Sequence, residues 1–171
     1  MRKTVITLLL VLAALAAIPD SASAAVVDYG MRVTSLMKEY SGKRDFQVVN
    51  LGRLGMSVVR TAIRRSGQKD AVEMLKLLKD VKRVSIADFS DCEPAVKNSF
   101  AERLSNVLTR DYLLVEAKNS GETVRIFAIP TSDGENISDL IISAPGSGAL
   151  VCVSGFINVQ DVAAFLDSHS K

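Results

Sequence analysis

Tyr112–Ala117, Thr123–Ile129, Ile137–Ala144 and Leu150–Ile157 are four β-rich runs in close succession. Only Asn119-Ser120-Gly121, Ser132-Asp133-Gly134 and Pro145-Gly146-Ser147-Gly148 mark the gaps between them. A crossover to a parallel neighbour needs a dozen or more residues, whereas short Gly-, Asn- and Pro-bearing gaps close antiparallel hairpins. The C-terminal part of the chain is therefore expected to be a four-strand antiparallel meander.

The preceding segment reads differently. Met31, Val33, Leu36, Met37 and Tyr40 recur at helical spacing from Asp28 to Tyr40, and Ser41-Gly42 ends that helix. Phe46–Leu51 reads as a short strand. Leu54, Val58, Ala62 and Ile63 mark a second helix, expected to pack through that stripe. Asp70 is placed to cap a third, with Val72, Leu75 and Leu78 on one face. Arg83–Phe89 reads as another strand. Asp91 and Glu93 precede Pro94 at the start of a helix with Val96, Phe100, Leu104, Val107 and Leu108 as its apolar stripe. Asn158 caps a final helix carrying Val162, Phe165 and Leu166. The fold class is α+β, with a largely antiparallel sheet of two earlier strands plus the meander and helices packed on one face.

The N-terminus carries a different message. Arg2 and Lys3 are followed by an uncharged apolar run, Val5–Ile18, then Pro19 and Ala22-Ser23-Ala24. Basic, apolar and small-x-small segments in that order form a cleavable export signal. The run is shorter than the roughly 20 residues of a spanning helix. Residues 1–24 are thus read as a signal peptide, cut between Ala24 and Ala25, and residues 25–171 as a single α+β domain, exported and periplasmic or secreted. No second run of spanning length follows, so no transmembrane span is expected in the mature form.

Removing Arg2, Lys3 and Asp20 from 21 basic and 19 acidic residues leaves 19 and 18. That balance argues against a general polyelectrolyte binder, and no nucleic-acid partner is expected. Two cysteines, Cys92 and Cys152, are too few for a disulfide framework. Cys152 lies between Val151 and Val153, where a thiol behaves as a small buried hydrophobe, and two separate thiols are expected.

The segment Arg110-Asp111-Tyr112-Leu113-Leu114-Val115-Glu116-Ala117-Lys118, its Asn119–Glu122 turn and Val124-Arg125-Ile126-Phe127 form a distinctive stretch. Ile137-Ser138-Asp139-Leu140-Ile141-Ile142 continues it, and Gly155-Phe156-Ile157 leads into Val159–Leu166. With Tyr40-Ser41 before Phe46–Asn50, this arrangement resembles a family of small exported bacterial proteins, domain of unknown function 4252. The resemblance spans nearly all of the mature chain. It implies export and the extent of the domain, and it supplies no catalytic residues.

The residues themselves offer few catalytic constellations. His169 is the single histidine and stands two residues from the C-terminus, so neither a Ser-His-Asp triad nor a His-based zinc site is expected. Asp88, Asp91 and Glu93 gather where a strand meets a helix, and capping by Asp91 accounts for them better than a calcium loop. The glycines of Gly52-Arg53-Leu54-Gly55 and Pro145–Gly148 lack phosphate-loop spacing. No cofactor or metal site is read.

Charge distribution is more telling. Residues 53–83 hold nine basic side chains against Asp70, Glu73 and Asp80, and residues 84–171 hold six basic against twelve acidic. Arg53, Arg60 and Arg64 share one helix face and form a candidate anion-binding stripe, suited to anionic lipid, polysaccharide or an acidic partner. The plainer alternative is a solvated face paired with acids from the later half. The functional expectation is a non-catalytic exported envelope module that binds or scaffolds. The alternative is a carboxylate-dependent hydrolase of envelope polymers using Asp88, Asp91, Glu93 and Asp139. The chain's few aromatics and lack of Trp disfavour a sugar cleft.

Overall fold

A computed structural model describes residues 29–65, 71–119, 122–131 and 134–161. The signal segment with Ala24 and Ala25, Asp70, His169, and Val162, Phe165 and Leu166 of the expected final helix lie outside the described residues. The elements are α1 (Tyr29–Tyr40), β1 (Gln47–Leu51), α2 (Arg53–Arg65), α3 (Ala71–Leu77), β2 (Asp80–Asp88), α4 (Pro94–Val107), a 3-10 turn (Arg110–Tyr112), β3 (Leu113–Asn119), β4 (Glu122–Pro130), β5 (Asn136–Ala144) and β6 (Ala149–Asn158).

The six strands form one sheet in the order β1-β2-β6-β5-β4-β3, and every pairing is antiparallel. The meander is as the short gaps require. Its last strand, β6, turns back to pair with β2, with Ser85 opposite Cys152. The α+β class and the two-plus-four strand count follow the sequence.

The placement of the helices does not. They lie on both faces of the sheet, not one. One core joins α1 and α4 to the strand residues Ala87, Phe127, Ile129, Ile141, Leu150 and Cys152. A second joins Met56 of α2 and Leu77 of α3 to Val81, Ile126, Ala128, Leu140 and Ile142. Neighbouring residues such as Ile141 and Ile142 point to opposite faces of a strand, so these are two layers on two sides.

In α1 the buried residues Tyr29, Val33, Leu36, Met37 and Tyr40 make one stripe, and Met31 is turned outward. The stripe meets an aromatic group. Phe46 stacks on Phe89 at 5.5 Å between centroids, and the edge of Phe100 meets Phe46 at 5.0 Å and Tyr40 at 5.1 Å. Phe100 and Leu104 are the buried residues of α4. Pro94 opens that helix, and Glu93 occupies the cap position without a side-chain cap bond. Asp91 therefore does not cap α4. Asp88 organises the turn instead, its Oδ1 accepting from the Ser90 N–H at 3.0 Å and the Ser90 hydroxyl at 2.8 Å. Asn158 does cap the helical turn that begins at Val159, Oδ1 accepting from the amides of Gln160 and Asp161.

Across the outer sides of α1 and α4, the two terminal guanidinium nitrogens of Arg103, Nη1 and Nη2, donate to the Glu39 carboxylate. That hydrogen bond holds the Glu39 carboxyl below its usual range, so its contribution is complete at neutral pH and fades only as pH falls through the lowered value. The pair is exposed and its worth to stability is small.

Cys92 and Cys152 are both buried, and they are not bridged to each other. The Cys92 thiol faces the Arg44 carbonyl at 3.5 Å. Burial, then the Asp45 carboxylate, pushes the Cys92 thiol pKa up, which keeps it an unreactive thiol. Protein purified without reductant and then denatured should titrate two thiols per chain; a count of zero in a monomer would require the bridge this arrangement lacks.

Candidate anion-binding face

The cationic segment is built by α2, α3 and the start of β2. Of the expected stripe, Arg53 and Arg64 are exposed. Arg60 is drawn away from them. Its Nε donates to the Leu78 carbonyl at 3.0 Å and its Nη2 to the Val81 carbonyl at 2.7 Å. Arg60 thus ties α2 to the end of α3 and to β2, and the structure assigns it a fastening role.

That tie fixes which side of α2 faces inward. Met56 is buried and Val59, Arg60 and Ile63 are half-buried. Leu54 and Val58, expected as the packed stripe, are 86 % and 69 % exposed, and Ala62 is exposed with them. The helix sits with Leu54, Val58 and Ala62 outward, and of the expected stripe Ile63 alone turns inward. On α3, Leu77 is buried while Val72 is 66 % exposed.

A recess of about 410 Å3 opens where α1, α2 and the sheet meet, lined by Met31, Gly52, Arg53, Lys82, Arg83 and Ser154. Three cationic side chains border it. Among the described residues, the ion pairs join Arg44 to Asp45, Arg103 to Glu39, and Lys118 and Arg125 to Glu116. None involves Arg53, Arg64, Arg65, Lys76, Lys79, Lys82 or Arg83. Among the described residues, no acid of the later half pairs with this face. Lys82 sits over the Phe156 ring at 4.9 Å, a cation–π contact that leaves the ammonium open to an anion.

Gly155 makes the recess possible. It has φ +135°, and β2 shifts register opposite it between Val81 and Arg83. An extra residue in one strand of an antiparallel pair re-aims its side chains. Here the shift accompanies Lys82 and Arg83, both exposed beside Arg53. Sequence reasoning counted these two in the basic segment without placing them together. The available signal was the glycine inside a β-rich run, which marks a bulge or a close backbone approach.

A second cleft of about 260 Å3 lies between α4 and the sheet, with Arg110, Glu116, Arg125 and Ser143 among its lining. There Arg125 Nε bonds Glu116 Oε2 at 2.9 Å, and that hydrogen bond holds the Glu116 carboxyl below its usual range. Its charges are thus largely satisfied internally.

Of the acids of the hydrolytic reading, Asp139 stands apart from Asp88. Asp88 pairs across from Ala149 and Asp139 from Ser154, five residues further along β6 and about 17 Å away at strand spacing. Asp139 is buried beneath α1, where a Cβ added at Gly30 would overlap its Oδ1. Among the described residues no three His, Cys, Asp or Glu side chains converge as metal ligands. No helix there is long and apolar enough to cross a membrane.

The family model described as a domain of unknown function, DUF4252, matches residues 40–165. The chain belongs to the DUF4252 family. The DUF4252 match takes in all six strands, both aromatic partners Phe46 and Phe100, and the cations of the recess. It begins at the last residue of α1. No curated protein and no solved structure matches this DUF4252 chain.

Proposed function

We propose that this DUF4252 chain is an exported, non-catalytic module of the cell envelope that binds an anionic ligand on the face of Arg53, Lys82 and Arg83. The observation carrying this reading is the grouping of those three cations around one recess without a carboxylate partner among the described residues. Natural surfaces usually intersperse both signs of charge, and an unpaired group of one sign attracts a counter-charged partner. The signal-like order of Arg2–Ala24 supports export. Scaffolding of an acidic envelope protein falls within the same chemistry.

The test uses exported protein beginning at Ala25 and a soluble polyanion, dextran sulfate, followed by calorimetry. Binding is expected to weaken steadily with added salt, because exposed charges are screened within about 10 Å at 0.1 M. Arg53→Gln, Lys82→Gln and Arg83→Gln together should abolish it with an unchanged melting temperature. Arg60 stays untouched, since its two carbonyl bonds hold α2 in place. Equal binding by the triple variant and the parent overturns the assignment.

A further inference from the structure

We infer that α2 and α3 seat the protein on the surface of an anionic lipid bilayer, with Leu54 and Val58 entering the boundary between headgroups and acyl chains. The inference rests on the cationic face being a binding surface and adds what it binds.

Single exposed apolar residues are ordinary on a protein surface. Here they are grouped. Leu54 and Val58 stand four apart on one helix, hence side by side, at 86 % and 69 % exposure. Val72 of α3 is 66 % exposed. Val49 of β1 and Ile86 of β2 face each other across the strands and are also exposed. They alternate with Val48 and Ala87 of the α1–α4 layer, so they lie on the side of the sheet that α2 and α3 occupy. One side of the molecule therefore shows repeated uncovered apolar side chains.

The same side is strongly basic. Arg53, Arg64, Arg65, Lys76 and Lys79 are exposed on or beside the two helices and take part in no ion pair among the described residues. A helix with apolar residues toward solvent and cations flanking them suits the plane of an anionic membrane. The apolar side chains enter while the long Arg and Lys stems reach the phosphates. Charge favours this occupant over a second copy. A two-fold contact would place the same cations against themselves. The helix is also held in this orientation, because rolling Leu54 and Val58 inward would break both Arg60 bonds to Leu78 and Val81.

Flotation of the exported protein with phosphatidylglycerol–phosphatidylcholine vesicles tests the inference, with phosphatidylcholine vesicles as the uncharged comparison. The parent should float with the anionic vesicles alone. Leu54→Ser with Val58→Ser should cut that partition at least about tenfold, as removing two inserted aliphatic side chains requires. The double variant should keep its melting temperature and its affinity for dextran sulfate. Arg53→Gln, Arg64→Gln and Arg65→Gln together should also lose vesicle binding. If the Leu54/Val58 variant floats as the parent does, the lipid inference fails. If the parent binds dextran sulfate and no vesicle, the inference fails and the anionic-ligand reading stands; if it binds neither, both fail. Self-association that the Leu54/Val58 variant loses, without vesicle binding, would identify a second copy as the occupant and overturn the inference.

Discussion

Phe100→Ala should lower the stability of this protein by about 3–5 kcal/mol, the usual cost of emptying a fully buried phenylalanine site. Phe100 has no solvent exposure and meets Tyr40, Phe46 and Phe89 within 5.1 Å between centroids. Those three rings come from α1, the entry to β1 and the exit from β2, so the cavity would adjoin three separate segments. Rings held edge to face cannot all close on the void without losing their mutual geometry. Tyr40 is further held by its hydroxyl, 2.7 Å from Ser99 Oγ. A chain of this size should show a drop of roughly 6–20 °C in melting temperature. Phe100→Leu, which keeps most of the volume, should lose far less. An unchanged midpoint for the alanine variant would mean that α4 does not pack through Phe100.

Gly155→Ala should be comparably severe for a different reason. At φ +135° an L side chain is strained, at a cost of order 1–3 kcal/mol. A Cβ would also stand 2.5 Å from the Asp80 carbonyl oxygen and 2.6 Å from the Lys82 nitrogen. Both are backbone atoms, so no rotamer change relieves the overlap, and overpacking adds about 1–3 kcal/mol. The variant should lose several kcal/mol in urea unfolding and bind dextran sulfate less well, since relief requires β2 to move at Lys82. Gly42→Ala, where a Cβ meets nothing within 4 Å, provides the control and should leave stability nearly unchanged. If Gly155→Ala behaved like Gly42→Ala, the close approach of β6 to β2 would be wrong.

The meander was legible because its gaps are too short for anything but hairpins. The burial of both sheet faces had a visible signal as well. Leu140-Ile141-Ile142 is continuously apolar where a half-exposed strand would alternate, and all three residues are buried. The orientation of α2 was not legible. Its sequence offers two apolar stripes, Leu54–Val58–Ala62 and Met56–Val59–Ile63, at equally good helical spacing. The choice is made by Arg60 reaching carbonyls about 20 residues away in sequence, a long-range event that periodicity does not encode. The recess was hidden for the same reason. Arg53 lies on a helix, Lys82 and Arg83 on a strand, and their meeting depends on the strand order and on the register shift opposite Gly155.

The strand order also bears on the path by which the chain reaches its fold. β6 occupies the middle of the sheet between β2 and β5, although it is the last of the described strands in sequence. Closing the seam joins Asp88 to Ala149 and Asp80 to Phe156, pairs more than 60 positions apart. Such distant pairings slow folding, because loop-closure entropy is lost before the contacts that offset it form. Until β6 arrives, β1–β2 and β3–β5 are two unjoined ribbons, and neither has its neighbour at the seam. The sheet thus stays incomplete until residues Ala149–Asn158 are in place, and pairing at the seam is what joins the two halves.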